Sequence, residues 1–275
     1  MNQRGPARTS LASLAGSLWR QRELLGQLTL RDINGRYRGS LLGILWSLIN
    51  PLALLALYTF VFSVVFQARW GDGAAGQADF AVRLFAGMLV HGLLAEVLLR
   101  SPTLLLANVS YIKKVVFPLE LLPAMAIGTS LFHAAIGGGM LVGAILVMHG
   151  SVPLTALWVP VVLFPLLLVA LGASYLLASL GIYMRDITQL MSLLSTLLLF
   201  GSPVFYPLSA LPETIRPWLM LNPLTLIIEE VRKVLLVGQQ PDFFALAIYC
   251  LLAFLILWAG YFWFQKTRKG FANVV

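Results

Sequence analysis

Long apolar runs separated by short clusters of Arg, Lys, Pro and Gly set the pattern along this chain. A helix that crosses a bilayer needs about 20 apolar residues. Six runs meet that requirement, at residues 41–67, 80–99, 119–148, 154–183, 187–206 and 243–264. The first, third and fourth are long enough to tilt or to project beyond the bilayer. Pro160 and Pro165 are expected to bend the fourth, which is kept whole because neither half could cross alone. Ahead of the first run, Leu11, Leu14, Ala15, Leu18, Leu25 and Leu28 recur at helical spacing, with Trp19 beside them. That stripe predicts an amphipathic helix lying in the membrane interface, in preference to one that packs on a soluble partner.

Two connections carry structure of their own. Between the second and third runs, short helices are expected over 104–107 and 109–116, ending before Pro118. Between the fifth and sixth, Pro207 and Pro212 rule out simple continuation of the fifth helix. Asn222-Pro223 then supplies an N-cap and a first-turn proline, and Gly238 a C-terminal stop. The helix between them, about 22 Å long at 1.5 Å per residue, has Leu224, Ile227, Ile228, Val231 and Leu235 on one face. Glu229 and Lys233 form an expected i,i+4 pair on another side. Residues 208–238 therefore read as a pair of short helices, at least one dipping into the outer leaflet; a helix flat on the outer surface is the competing reading.

Composition agrees with the pattern. Of 275 residues, 59% are hydrophobic and 11% charged, against about 25% charged in soluble domains. The chain is a polytopic membrane protein, so the net charge of +8 bears on orientation and not on nucleic acid. With both termini in the cytosol, fourteen of the 19 Lys and Arg residues face inward and five outward. The first 40 residues lack the apolar core of a cleavable signal peptide, and the first apolar helix is expected to direct insertion. Cys250 is the single cysteine, so no disulfide within the chain is possible, and no Cys/His cluster has metal-ligand spacing.

Chemistry is sparse. There is no GxxxxGK[ST] phosphate loop, and Gly137-Gly138-Gly139 lies inside an apolar helix. Gly139 and Gly143 fit GxxxG and are expected to pack closely within this chain. Glu96 and Arg100, one helical turn apart, are expected to pair; His91 and His133 are expected to hydrogen-bond to neighbouring helices and not to relay protons. No Asp or Glu lies mid-span, which argues against an ion-coupled transporter, and no nucleophile with a positioned base argues for an intramembrane hydrolase. The chain is built to move something and has no energy source of its own, so a partner must supply one. The aromatics hint at the cargo: Tyr58 and Phe62 on the first span, and Phe200, Phe205 and Tyr206 near the outer end of the fifth, could let a glycan slide over flat rings. An ordinary aromatic belt is the competing reading.

Several motifs now fall into one order: Arg31-Asp32, then Arg36-Tyr37-Arg38-Gly39-Ser40-Leu41-Leu42-Gly43-Ile44-Leu45-Trp46 with Pro51, then Ile112-Lys113-Lys114 and Phe117-Pro118-Leu119-Glu120, then Arg185-Asp186-Ile187, Ser202-Pro203-Val204-Phe205-Tyr206-Pro207 and Asn222-Pro223-Leu224. On these residues the chain resembles the membrane subunit of ABC-2-type exporters, in the branch of O-antigen, capsule and teichoic acid permeases. The resemblance implies an all-α polytopic membrane protein of the bacterial inner membrane, with both termini cytosolic. It implies a homodimer with six spans per subunit, bound to two copies of a cytosolic ABC ATPase that holds ATP and Mg. It implies export of a lipid-linked polysaccharide through a chain that is not an enzyme and has no cofactor, no metal and no nucleic-acid partner.

The resemblance also divides the chain into an interfacial segment 1–40, a transmembrane domain 41–264 and a basic tail 265–275. It makes 104–117 a coupling helix, with Asn108, Tyr111, Lys113 and Lys114 toward the ATPase, and 208–238 a re-entrant hairpin that includes Pro212, Asn222, Pro223, Glu229, Lys233 and Gly238. The first and fifth spans would line the channel among membrane lipids. The alternatives are an ABC-2 permease for a drug or lipid, or a membrane-embedded glycan-modifying enzyme.

Overall fold

The structure, a computed structural model, describes residues 10–65, 77–113 and 117–274, apart from the side chains of Phe62, Ser63, Gln77, Ala78 and Asn273. Among these residues the chain is all helical. The N-terminal stripe forms two helices and not one: α1 (Leu11–Arg20) and α2 (Arg22–Tyr37) meet at Gln21, which leaves the helical region at φ −111°, ψ 22°. Ser10 caps α1 by accepting from the Ser13 amide. Leu14 and Leu28 of the stripe are buried against the protein, while Trp19 is 71% exposed.

The first apolar run becomes α3 (Trp46–Thr59), extended by a π-helical segment, Phe60–Val65. Then come α4 (Gln77–Arg100), a short α5 (Val109–Ile112), α6 (Leu121–His149), α7 (Val159–Tyr183) and α8 (Ile187–Phe200). The outer connection holds α9 (Arg216–Met220) and α10 (Pro223–Arg232), with a π-helical turn Lys233–Val237 after it. The long α11 (Phe243–Thr267) and a terminal turn α12 (Phe271–Val274) complete the chain. Pro160 sits in the first turn of α7 and Pro165 inside it, and the helix stays continuous.

Four helical stretches among the described residues are long and apolar enough to cross a membrane: Asp79–Thr103, Leu121–His149, Leu154–Tyr183 and Phe243–Gly270. Gly43–Thr59 and Ile187–Phe200 are apolar but shorter. The fifth run ends early because Gly201 breaks α8 after Phe200 and the Pro203 segment turns back. At 1.5 Å per residue α8 measures roughly 21 Å, short of a hydrocarbon core of about 30 Å.

The pole of the bundle is α4, whose apolar window is 61% buried against 17–22% for the other three. Around it stand α3, α6, α7, α8 and α10. Between apolar helices in a bilayer, close packing and not exclusion of water drives association. Two approaches are especially tight: a Cβ on Gly181 of α7 would lie 1.9 Å from the Pro102 carbonyl oxygen, and one on Gly260 of α11 2.1 Å from the Gly172 carbonyl oxygen of α7. The expected GxxxG contact is not made. Cβ positions at Gly139 and Gly143 meet nothing within 4 Å, because that face of α6 points away from the rest of the chain.

Candidate functional site

The C-terminal half of α2 is wedged against α4 and α6 by a set of polar side chains. Arg100, at the end of α4, donates to both carboxylate oxygens of Asp32. Thr129 of α6 donates to the same carboxylate at 2.7 Å. One turn further along α2, Arg36 Nη1 lies 2.6 Å from Glu96 Oε1. His133 Nδ1 stands 2.9 Å from the other Glu96 oxygen, and the Tyr37 hydroxyl meets His133 Nε2 at 2.8 Å. Burial pushes the Tyr37 phenol above its ordinary pKa, so it stays a donor. The expected Glu96–Arg100 pair is therefore not formed. Each group takes a partner on α2, which brings bidentate geometry to Arg100 and a second donor to Glu96. His91 bonds the Ser195 carbonyl of α8 at 3.0 Å, so both histidines reach across to neighbouring helices.

From α2 the contacts continue into the connection after α4. That connection consists of two 3-10 turns, Ser101–Thr103 and Leu106–Asn108, followed by α5, a tighter form than the two helices expected. Arg31 donates to the Tyr111 hydroxyl at 2.6 Å, and the Tyr111 ring stacks on Phe117 at 4.2 Å. Asn108 is turned inward on the Leu104 carbonyl, at 2.9 Å. Lys113 is exposed, and Lys114 lies outside the described residues. Just beyond, Glu120 gathers three elements: it accepts from Ser17 of α1 at 3.1 Å and from Arg268 after α11 at 2.9 Å, and its carbonyl accepts from Tyr175 of α7.

At the opposite end, α8, the 201–206 turn and α10 are joined by Asn222 and Arg232. Asn222 caps α10 by accepting from the Leu224 amide at 2.9 Å, and its side-chain amide donates to the Gly201 carbonyl at 2.8 Å. Pro223 begins α10, and Gly238 ends the following turn at φ +74°. Leu224, Ile227, Ile228, Val231 and Leu235 are all buried against the bundle. Arg232, 3% exposed, donates to the carbonyls of Arg83, Pro203 and Val204 and pairs with Glu229 at 3.0 Å. The expected Glu229–Lys233 pair is replaced by two i,i+3 pairs, Glu229–Arg232 and Glu230–Lys233. Glu230 also accepts from the Asp242 amide, at 2.8 Å, and so is drawn away from the surface. Pro212 is exposed on the loop before α9.

The candidate aromatics fall into one cluster. Tyr58 meets Phe205 edge-on at 5.1 Å, and Phe205 leans on Phe200 at 5.4 Å. Phe205 is the interior member, 4% exposed, whereas Phe200 is 56% exposed. Tyr206 donates to the Phe200 carbonyl at 2.9 Å. The Phe62 side chain lies outside the described residues.

Sequence reasoning missed Asp32, Thr129 and Arg232 as linking residues. Arg232 had a legible signal, because it stands four residues after Ile228 on the apolar face of α10. Asp32 was legible only as the lone acid in a basic segment.

Polar side chains here tie helices together, and among the described residues no group of His, Cys, Asp and Glu could hold a metal. The arrangement defines a helical, membrane-type protein whose two ends are braced and whose chemistry is mechanical. The chain belongs to the ABC-2 type transporter family, whose model matches residues 23–236. It is a transport subunit and not an enzyme, and permeases of this family generally work with a cytosolic ATPase. Similar proteins include an O-antigen export system permease of Myxococcus xanthus, 28% identical over 95% of this chain and 99% of that protein. Another O-antigen export system permease, from Klebsiella pneumoniae, is 26% identical over 92% of this chain and 95% of its own. A polysialic acid transport protein of Escherichia coli is 24% identical over 87% of this chain and 92% of its own.

Proposed function

We propose that this chain is the membrane half of an ATP-driven exporter of lipid-linked polysaccharide in the bacterial inner membrane. The observation that carries the reading is the end-to-end match to the Myxococcus xanthus permease, which covers 95% of one chain and 99% of the other. A match of that extent supports one architecture for both. A homodimer with two ATPase copies completes the transporter. The exposed apolar faces of α3 (Leu52, Leu54, Leu57) and α8 (Leu190, Leu193, Leu197) support this, since they leave two short helices uncovered in a single chain. In the dimer these helices serve as first and fifth of six spans and flank the path. Tyr58 and Phe200 offer rings to the passing glycan, and the α9–α10 pair forms the re-entrant outer hairpin.

The distribution of Lys and Arg supports cytosolic termini. On that orientation the 101–117 connection faces the ATPase, with Lys113 and Lys114 as contacts. A push there reaches α2 through Tyr111 and Arg31, and α4 through Asp32 and Arg100. Deletion of the gene from its source strain tests the reading. Surface polysaccharide should disappear while lipid-linked glycan accumulates on the cytosolic side of the inner membrane. Normal surface polysaccharide in the deletion strain would overturn it.

A further inference from the structure

An apolar groove of about 380 Å³ lies between α1, α7 and α11. Leu11, Ala15 and Leu18 of α1 form one wall, and Leu168, Leu171 and Phe254 the other. Its cause is the way α1 is fastened. Leu14 and Ser17 are buried on one side of that helix, where Ser17 donates to Glu120. The neighbouring side carries Ala12 and Ala15, both exposed, whose side chains are too short to close the space toward α7 and α11. Phe254 is left 41% exposed on the far side. A groove with apolar walls holds hydrocarbon in preference to water.

Two observations say which hydrocarbon. The first is depth. Phe254 and Leu257, on the groove, precede Lys266 at the basic end of α11 by about 14–18 Å at 1.5 Å per residue. Half of a bilayer core is about 15 Å. A chain that starts at the cytosolic surface, on the orientation proposed above, therefore reaches the groove and ends near the midplane. The second observation is charge at the mouth. Trp19 stands one helical turn after Ala15 and two after Ala12, so it shares their stripe and lies at the end of the groove. It is 71% exposed, and the Arg22 guanidinium lies over its ring at 5.1 Å. Arg20 and Arg22 are exposed, and among the described residues they take the backbone carbonyls of Gly16 and Trp19 and no carboxylate. An indole at headgroup depth beside guanidinium groups short of counter-charge fits a phosphate of the cytosolic leaflet.

We propose that an anionic phospholipid of the cytosolic leaflet is a bound component of this protein, with one acyl chain in the groove beneath α1 and its phosphate at Trp19 and Arg22, where Arg20 adds charge. The lipid fills the space that Ala12 and Ala15 leave and so packs α1 against α7 and α11. The site rests on the orientation proposed above and not on the nature of the cargo. A zwitterionic lipid has the same chain and phosphate but brings an ammonium group to the same two cations, which removes the attraction.

The test uses the full chain with its ATPase in phosphatidylcholine nanodiscs that contain a trace of phosphatidylglycerol with a photoreactive diazirine near the end of one acyl chain. After illumination, the labelled peptides are read by mass spectrometry. Label is expected on residues 168–171 and 254–257, and unlabelled phosphatidylglycerol should compete it away where added phosphatidylcholine does not. A15L, which fills the hollow, should lower the label about fivefold or more, and R20Q/R22Q about tenfold. R20K/R22K keeps both charges and should stay within about twofold of the natural protein. R20Q/R22Q alters only exposed side chains, so an unchanged melting temperature separates its loss of label from unfolding. Label in R20Q/R22Q within about twofold of the natural protein overturns the site. Equal labelling by a phosphatidylcholine probe of the same design overturns it as well, since the groove is then a surface for any lipid. Displacement by farnesyl diphosphate mole for mole overturns it in favour of a cargo lipid. No glycan enters the assay, so its failure leaves the proposed function standing. Normal surface polysaccharide in the deletion strain, with arginine-dependent label intact, removes that function and leaves the site.

Discussion

Asp32→Ala removes the carboxylate that holds the end of α4 to α2, and its cost can be worked from the surroundings. The Asp32 and Arg100 side chains are 13% and 22% exposed, and the contact is bidentate. Breaking one partner of a fully buried pair costs about 3–5 kcal/mol, mostly because the other charge is left alone. Residual exposure lets water reach the orphaned guanidinium, and Thr129 can fall back on the Met125 carbonyl it already meets at 3.2 Å. We therefore expect a loss of about 2–3 kcal/mol for the single variant. Adding Arg100→Ala removes the stranded charge, so the double variant should cost less than the sum of the singles, with a coupling energy of about 1–2 kcal/mol. The measurement is denaturant unfolding in detergent of the four proteins of this cycle, read by tryptophan fluorescence. In vesicles with the ATPase, Asp32→Ala should also export less glycan per ATP hydrolysed, because α2 no longer carries motion to α4. Additivity of the two substitutions within about 0.5 kcal/mol would refute the reasoning.

Arg232→Met should strand the two buried carbonyls of Pro203 and Val204 at about 1–3 kcal/mol each, seen as faster amide exchange across 201–206; Arg232→Lys should recover only part, since one ammonium cannot reproduce the fork that meets Pro203, Val204 and Arg83. Gly260→Leu should drive a side chain into the Gly172 backbone and lower the yield of folded protein, while Gly139→Ala, into open space, should leave the melting temperature unchanged. Lys113→Glu should reduce co-purification of the ATPase without altering the melting temperature of this chain, and unchanged recovery would move the contact elsewhere. Tyr58→Ala combined with Phe200→Ala should slow glycan export while ATP hydrolysis continues, and full export would remove both rings from the path.

Much of the fold was legible because burial in a bilayer writes itself as long apolar runs. The boundaries of α4, α6, α7 and α11 follow those runs within a few residues. The capping of α10 was legible for a local reason, since Asn222, Pro223 and Gly238 act on their own backbone. The early end of α8 was not, because Gly201 within an apolar run gives no sign that the Pro203 segment folds back on α10. The polar pairs were misread where only spacing along one helix was available. Glu96 with Arg100, and Glu229 with Lys233, satisfy i,i+4 geometry, yet a better-placed group decides each case: Asp32 on α2 for Arg100, and the neighbouring buried Arg232 for Glu229. The failed GxxxG contact has a similar cause. A small-residue face shows that a helix can be approached closely but not which neighbour approaches it, and here Gly172 and Gly260 make the contact instead.

The central claim is that this chain is a passive conduit opened by a separate motor. The most direct measurement follows ATP hydrolysis and movement of lipid-linked glycan together, in vesicles that hold this chain alone, the ATPase alone, or both. The account predicts no hydrolysis and no movement with this chain alone, and ATP-dependent movement only when both are present. Hydrolysis by the purified chain alone, or equal glycan movement without the ATPase, would contradict it.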